Sequence, residues 1–75
     1  MSNKENIAEY LIAFIKEYAK YKTITEVIAC KILKSNGILD YLEEHYNIAH
    51  TLTFDSVIEL VESKIKKTVK NDITI

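Results

Sequence analysis

The chain has 75 residues, 48% of them apolar, with no proline and one glycine, so it makes one small helical domain. Sheets need frequent tight turns built from glycine, proline and asparagine, and this chain has few such residues. Ten lysines and eleven acids give a net charge of −1; with no arginine, a protein that reads DNA bases by bidentate contacts is disfavoured.

Ser2 and Glu5 have capping-box spacing, in which each side chain satisfies a backbone N–H at a helix start. They open a predicted helix over 3–21. Ile7, Leu11, Phe14, Tyr18 and Tyr21 fall on one stripe of it, with Ala8, Ile12, Ile15 and Ala19 beside them. The resulting apolar arc exceeds half the circumference and leaves Glu9, Ala13, Lys16, Glu17 and Lys20 for water. Such a helix is either central to the domain or covered by a partner.

Thr23 and Glu26 repeat the capping-box spacing and open a second helix, 24–35, which carries Cys30 as a small, largely buried thiol. Ser35-Asn36-Gly37 ends it, with Gly37 suited to a left-handed cap. A third helix is predicted over 38–47, with Ile38, Leu42 and Tyr46 on its apolar side and Asp40, Glu43, Glu44 and Asn47 on the other. Thr53 caps a fourth, 54–69, whose stripe is Phe54, Val57, Ile58, Val61, Ile65 and Val69. Lys64, Lys66, Lys67 and Lys70 crowd its last turns, where cations complement the helix dipole. The expectation is an all-α bundle of four helices without strands, one domain over residues 1–70, and a frayed tail over 71–75.

Candidate chemistry is sparse. A zinc site needs three or four converging ligands, and His45 and His50, five residues apart, diverge on a helix. His45 reads instead as a core or boundary histidine on the apolar stripe. There is no phosphate-binding glycine loop, no serine elbow and no third group to orient a Cys–His pair, so no catalytic residues, metal or cofactor are expected. The helix–turn–helix reading of Thr23–Tyr46 places Asp40, Glu43 and Glu44 on the would-be recognition helix, where they repel phosphate. No apolar run reaches the roughly 18 residues of a membrane span, and a lone cysteine suits the cytoplasm. What is in surplus is apolar surface: the arc of the first helix, Val27, Ile28 and Cys30 on the second, and Leu60 between Glu59 and Ser63.

The pattern G-I-L-D-Y-L-x-x-x-Y-x-x-x-H-T over Gly37–Thr51, with YLIAFIKEYAKY before it and VIELVESKI after it, resembles a family of small bacterial proteins. That family is catalogued as domain of unknown function three-seven-nine-one. Gly37, Asp40, Tyr41, Tyr46, His50 and Thr51 match its pattern, whereas His45 stands in place of an aromatic and Leu60 in place of an acid. The resemblance implies no catalytic residues. Members are often encoded beside an ADP-ribosyltransferase toxin, which implies an antitoxin-like partner role.

The expected function is therefore protein binding by occlusion, with Tyr10, Phe14, Tyr18 and Leu60 as the partner-binding residues. The alternative is a self-associating structural or adaptor protein closed by a symmetric dimer, and behind it a helix-turn-helix DNA-binding protein.

Overall fold

A computed structural model describes the backbone of residues 3–74 and the side chains of residues 5–66. Five helices follow one another: α1 (Asn3–Lys22), α2 (Glu26–Ser35), α3 (Ile38–Glu44), α4 (Tyr46–Ala49) and α5 (Phe54–Thr74). No strand occurs among the described residues, as the all-α expectation requires.

The fifth helix arises because the predicted third one breaks at His45, whose φ of −105° and ψ of 23° leave helical geometry. His45 nonetheless belongs to both hydrogen-bond ladders. Its N–H donates to the Tyr41 carbonyl at 3.0 Å and closes α3, while its own carbonyl accepts from Ala49 at 2.8 Å and opens α4. The chain thus changes direction without orphaning these backbone groups. The same break overturns the expectation that His45 fills an apolar slot. The stripe of Ile38 and Leu42 stops before it, and His45 is exposed.

The turn between α1 and α2 also differs from expectation. The N-cap of α2 is Thr25, whose hydroxyl accepts from the Ile28 N–H at 3.2 Å, rather than Thr23. Thr23 instead terminates α1 in the left-handed region, at φ +58°. Its N–H donates to Lys20 and the Ile24 N–H donates back to Ala19, at 3.2 and 3.0 Å. These are the two bonds of a Schellman motif, and Ile24 packs against the core beyond it. A β-branched residue at the position where glycine is favoured carries about 1–2 kcal/mol of strain. Gly37 occupies the corresponding turn after α2 at φ +70°, as predicted. Thr53 caps α5 as predicted, accepting from the Ser56 N–H. The helical backbone of α5 runs to Thr74, past the expected end near residue 69 and into the tail expected to fray. Ile75 lies outside the described residues, as does Ser2 of the first capping box.

The core draws on every helix: Phe14, Tyr18 and Ala19 from α1, Ala29 and Leu33 from α2, Ile38 and Leu42 from α3, Ala49 from α4, and Val57, Ile58 and Val61 from α5. α1 is the central helix, packed against α2, α3 and α5. Its buried and half-buried side runs from Ala13 round to Ala19, about two-thirds of the circumference. Most of the breadth noted in the sequence is therefore enclosed by the chain's own helices, while Ile12 and Tyr21 stay exposed. The arc is also set differently from expectation: Ala8 and Ile12 face solvent, while Ala13 and Glu17 are half-buried.

Two of the predicted partner anchors change role accordingly. Phe14 is 0% and Tyr18 1% exposed, so both are core and neither is open to a partner. Tyr10, half-buried, joins them in a run of rings down α1, with centroids 6.5 Å (Tyr10–Phe14) and 6.1 Å (Phe14–Tyr18) apart. Cys30 is half-buried rather than largely buried.

Candidate functional site

Among the described residues large apolar side chains stay exposed in two regions: Ile12 and Tyr21 on α1 with Val27 and Ile28 on α2, and Ile48, Leu52 and Leu60, which share a groove formed where α3, α4 and the start of α5 meet. Tyr41 and Leu42 contribute from α3, His45 from the break that follows it, Ile48 and Ala49 from α4, Leu52 from the following turn, and Val57 and Leu60 from α5. Leu42, Ala49 and Val57 are buried and form its floor. Ile48, Leu52 and Leu60 stand open to solvent at 65%, 46% and 44% exposure. Three large exposed aliphatic side chains around one depression are more than the scattered single residues of an ordinary surface. Leu60 is thus the one predicted partner residue that lies exposed in a candidate interface.

The break at His45 builds this groove. It turns α4 so that Ala49 faces the core while Ile48 projects outward. The Tyr10 hydroxyl donates to the Ala49 carbonyl at 3.3 Å, and the Tyr46 ring meets Tyr10 edge-on at 5.6 Å. Phe54 lies beside Tyr10 and Phe14 at 5.6 and 6.0 Å. Tyr10 therefore acts as a support beneath α4. Burial, followed by the neighbouring Tyr46, raises its phenol above the ordinary tyrosine value.

Each histidine meets a tyrosine one turn earlier: His45 lies tilted against Tyr41 at 4.5 Å between centroids, and His50 stacks on Tyr46 at 4.7 Å. The two do not converge. Among the described residues no group of three His, Cys, Asp or Glu side chains is arranged to hold a metal. The family-motif residues play supporting parts. Gly37 turns the chain, Tyr41 carries the Lys64 ammonium 4.3 Å above its ring, and the Thr51 hydroxyl donates to the Ile48 carbonyl at 2.6 Å. Asp40 is exposed in the first turn of α3.

Away from the groove, α1 and α5 are tied by a polar cluster. The Tyr18 hydroxyl donates to one oxygen of Glu62 at 2.5 Å, and Lys22 donates to the other at 3.1 Å. Burial, then the hydrogen bond to Glu62, pushes the Tyr18 phenol well above its usual range. Burial acts to raise the Glu62 carboxyl, but the hydrogen bonds from Tyr18 and Lys22 and the charges of Lys22 and Lys66 outweigh it and lower it. This cluster supplies the polar outlet that a buried tyrosine needs.

Ile48 and Leu52 were not singled out in the sequence, although their four-residue spacing beside Tyr41 and His45 is a readable signal. A helix assumed to end at 47 hid it, because both residues then fall in a loop. Among the described residues no helix is long and apolar enough to cross a membrane. No curated protein and no solved structure matches the chain. Residues 9–68, however, match a family over most of the chain's length, covering both the aromatic run of α1 and the groove. The chain belongs to the family described as Protein of unknown function (DUF3791).

Proposed function

We propose that this protein is a non-catalytic, protein-binding module of the cytoplasm, antitoxin-like, that neutralises a partner toxin by laying the groove of α3, α4 and α5 against it. The supporting observation is that Ile48, Leu52 and Leu60, all substantially exposed, line one depression with a buried floor. Interfaces gain most of their affinity from a few such apolar anchors in a desolvated pocket. The resemblance supplies the partner class, an ADP-ribosyltransferase encoded nearby, and occlusion of its NAD cleft is the mode of action. The interface is moved from α1, where Phe14 and Tyr18 are enclosed, to the groove, where Leu60 remains.

The test expresses the neighbouring transferase with and without this chain. Wild type restores growth, and Leu60→Asp and Ile48→Asp, each checked for helicity, do not. Protection by both variants would sink the groove as the binding surface. The second reading, a self-associating adaptor, draws on the same exposed side chains and predicts a dimer in sedimentation that Leu60→Asp converts to monomer.

A further inference from the structure

We infer that α4 is a flap over the apolar floor of the groove, hinged at His45 and latched by Tyr10. That the opened groove meets a partner rests on the groove reading above; the flap itself rests on geometry alone.

The segment from His45 to Leu52 is hydrogen-bonded to itself. The N–H groups of Ile48 and Ala49 donate to the His45 carbonyl, and those of His50, Thr51 and Leu52 donate to Tyr46, Ile48 and Ala49 in turn. A swing of the whole segment leaves these bonds intact. At its start the His45 N–H donates to Tyr41 in α3, whereas the His45 carbonyl accepts from Ala49 in α4. A change in the φ and ψ of His45 alone therefore moves α4 against α3 while both bonds hold. At its end the chain passes through a turn to Thr53, where α5 begins its own ladder. Against this local closure, α4 is fastened to the other helices at few points. Ala49 is its one buried side chain. Among the described residues, its side-chain hydrogen bond from another helix comes from Tyr10, at 3.3 Å to the Ala49 carbonyl, and the same ring meets Tyr46 edge-on at 5.6 Å. Beside Ala49 in the floor lie Leu42 and Val57, both buried. Closed, the groove holds about 100 Å³, short of the roughly 300–1,000 Å³ that ligand pockets offer. Lifting α4 withdraws Ala49 and opens that floor to a partner's side chain.

The test is native-state thiol labelling with an aromatic disulfide reagent in a Cys30→Ser background. Ala49→Cys reports on the flap, and Ala29→Cys, at a fully buried position of α2, reports on unfolding of the whole chain. Ala19→Cys, buried on α1, replaces that reference if Ala29→Cys loses helicity. The Ala49→Cys thiol reacts at least about tenfold faster than the reference, through an opening short of global unfolding. Its rate depends little on urea, whereas the reference rate rises steeply, because the slope follows the surface exposed. Tyr10→Phe keeps the ring and removes the latch, and speeds the Ala49→Cys thiol about fivefold, the worth of one ordinary hydrogen bond. Glu62→Gln loosens the tie between α1 and α5 instead, so it speeds the reference and leaves Ala49→Cys unchanged. Equal rates with equally steep urea dependence at the two positions overturn the flap. Fast labelling that Tyr10→Phe leaves unchanged overturns Tyr10 as the latch, and the proposal with it. No partner enters these measurements, so protection by both Leu60→Asp and Ile48→Asp in the growth test strikes the groove reading and leaves the flap standing.

Discussion

The face of α1 centred on Phe14 and Tyr18 and the groove beside α4 are built from the same kinds of residue, yet one is sealed and the other open. Around Phe14 and Tyr18, α2, α3 and α5 close over the arc, and at its edge Glu62 takes the one hydroxyl that burial would orphan. Around Leu60 nothing comparable closes, because α4 is a single turn and leaves Ile48 and Leu52 in solvent. Apolar breadth on a helix therefore does not identify a binding face. What identifies it is breadth left over after the chain's own helices are placed.

Substitutions can break or sharpen this contrast. The largest effect falls in the sealed region: Phe14→Ala should cost about 3–5 kcal/mol in chemical denaturation, the usual toll of emptying an aromatic core site. A loss below about 1 kcal/mol would mean the arc is open after all. Next come the hinges that set the two regions. Gly37→Val, at the turn leading to the groove side, should cost about 1–2 kcal/mol. Its Cβ would meet nothing within 4 Å, so the penalty is backbone strain alone. Thr23→Gly, at the turn that swings α2 over the arc, should have the opposite sign. Strain relief outweighs the flexibility gained by the unfolded chain, leaving about 0.5–1 kcal/mol of stabilisation in thermal melts.

The seal at the arc's edge has a pH signature. The Glu62 carboxyl is lowered in the fold, so its stabilisation is present above the ordinary carboxylate value of about 4.3 and lost as pH falls below it. The Tyr18 phenol is raised, so its contribution holds below about 10 and is lost as pH rises beyond it. Glu62→Gln should cost about 1 kcal/mol near neutrality and flatten the acid limb of a stability–pH profile. An unchanged acid limb would show that the cluster contributes nothing. The smallest effect belongs to the open region: Leu60→Asp should move stability by no more than about 0.5 kcal/mol, while removing binding.

The helical class, the caps at Gly37 and Thr53 and the apolar stripe of α5 were all legible in the sequence, because periodicity and capping chemistry are local. The break at His45 was not. Nothing in DYLEEHYNIAH forbids a continuous helix, and the turn is fixed by Tyr10, 39 residues away in sequence from the Ala49 carbonyl it holds. Thr23 misled for a related reason. Its spacing to Glu26 fits a capping box, but Thr25, two residues later, is equally able to cap. The choice goes to the residue that lets Ile24 reach the core. Whether Phe14 and Tyr18 were core or interface depended on how many helices surround α1, which no single helix reveals.

Helices of seven and four residues have too few hydrogen bonds to persist alone, since isolated helices shorter than about 12–15 residues are marginal in water. The α3–α4 segment is therefore borrowed order. Its amides should exchange with solvent through local opening well before those of α1, with Ile48 to Leu52 fastest once the Tyr10 support lets go. A ligand in the groove would slow that exchange without touching α2. The part of the molecule that meets a partner is thus also the part most able to reshape itself around one.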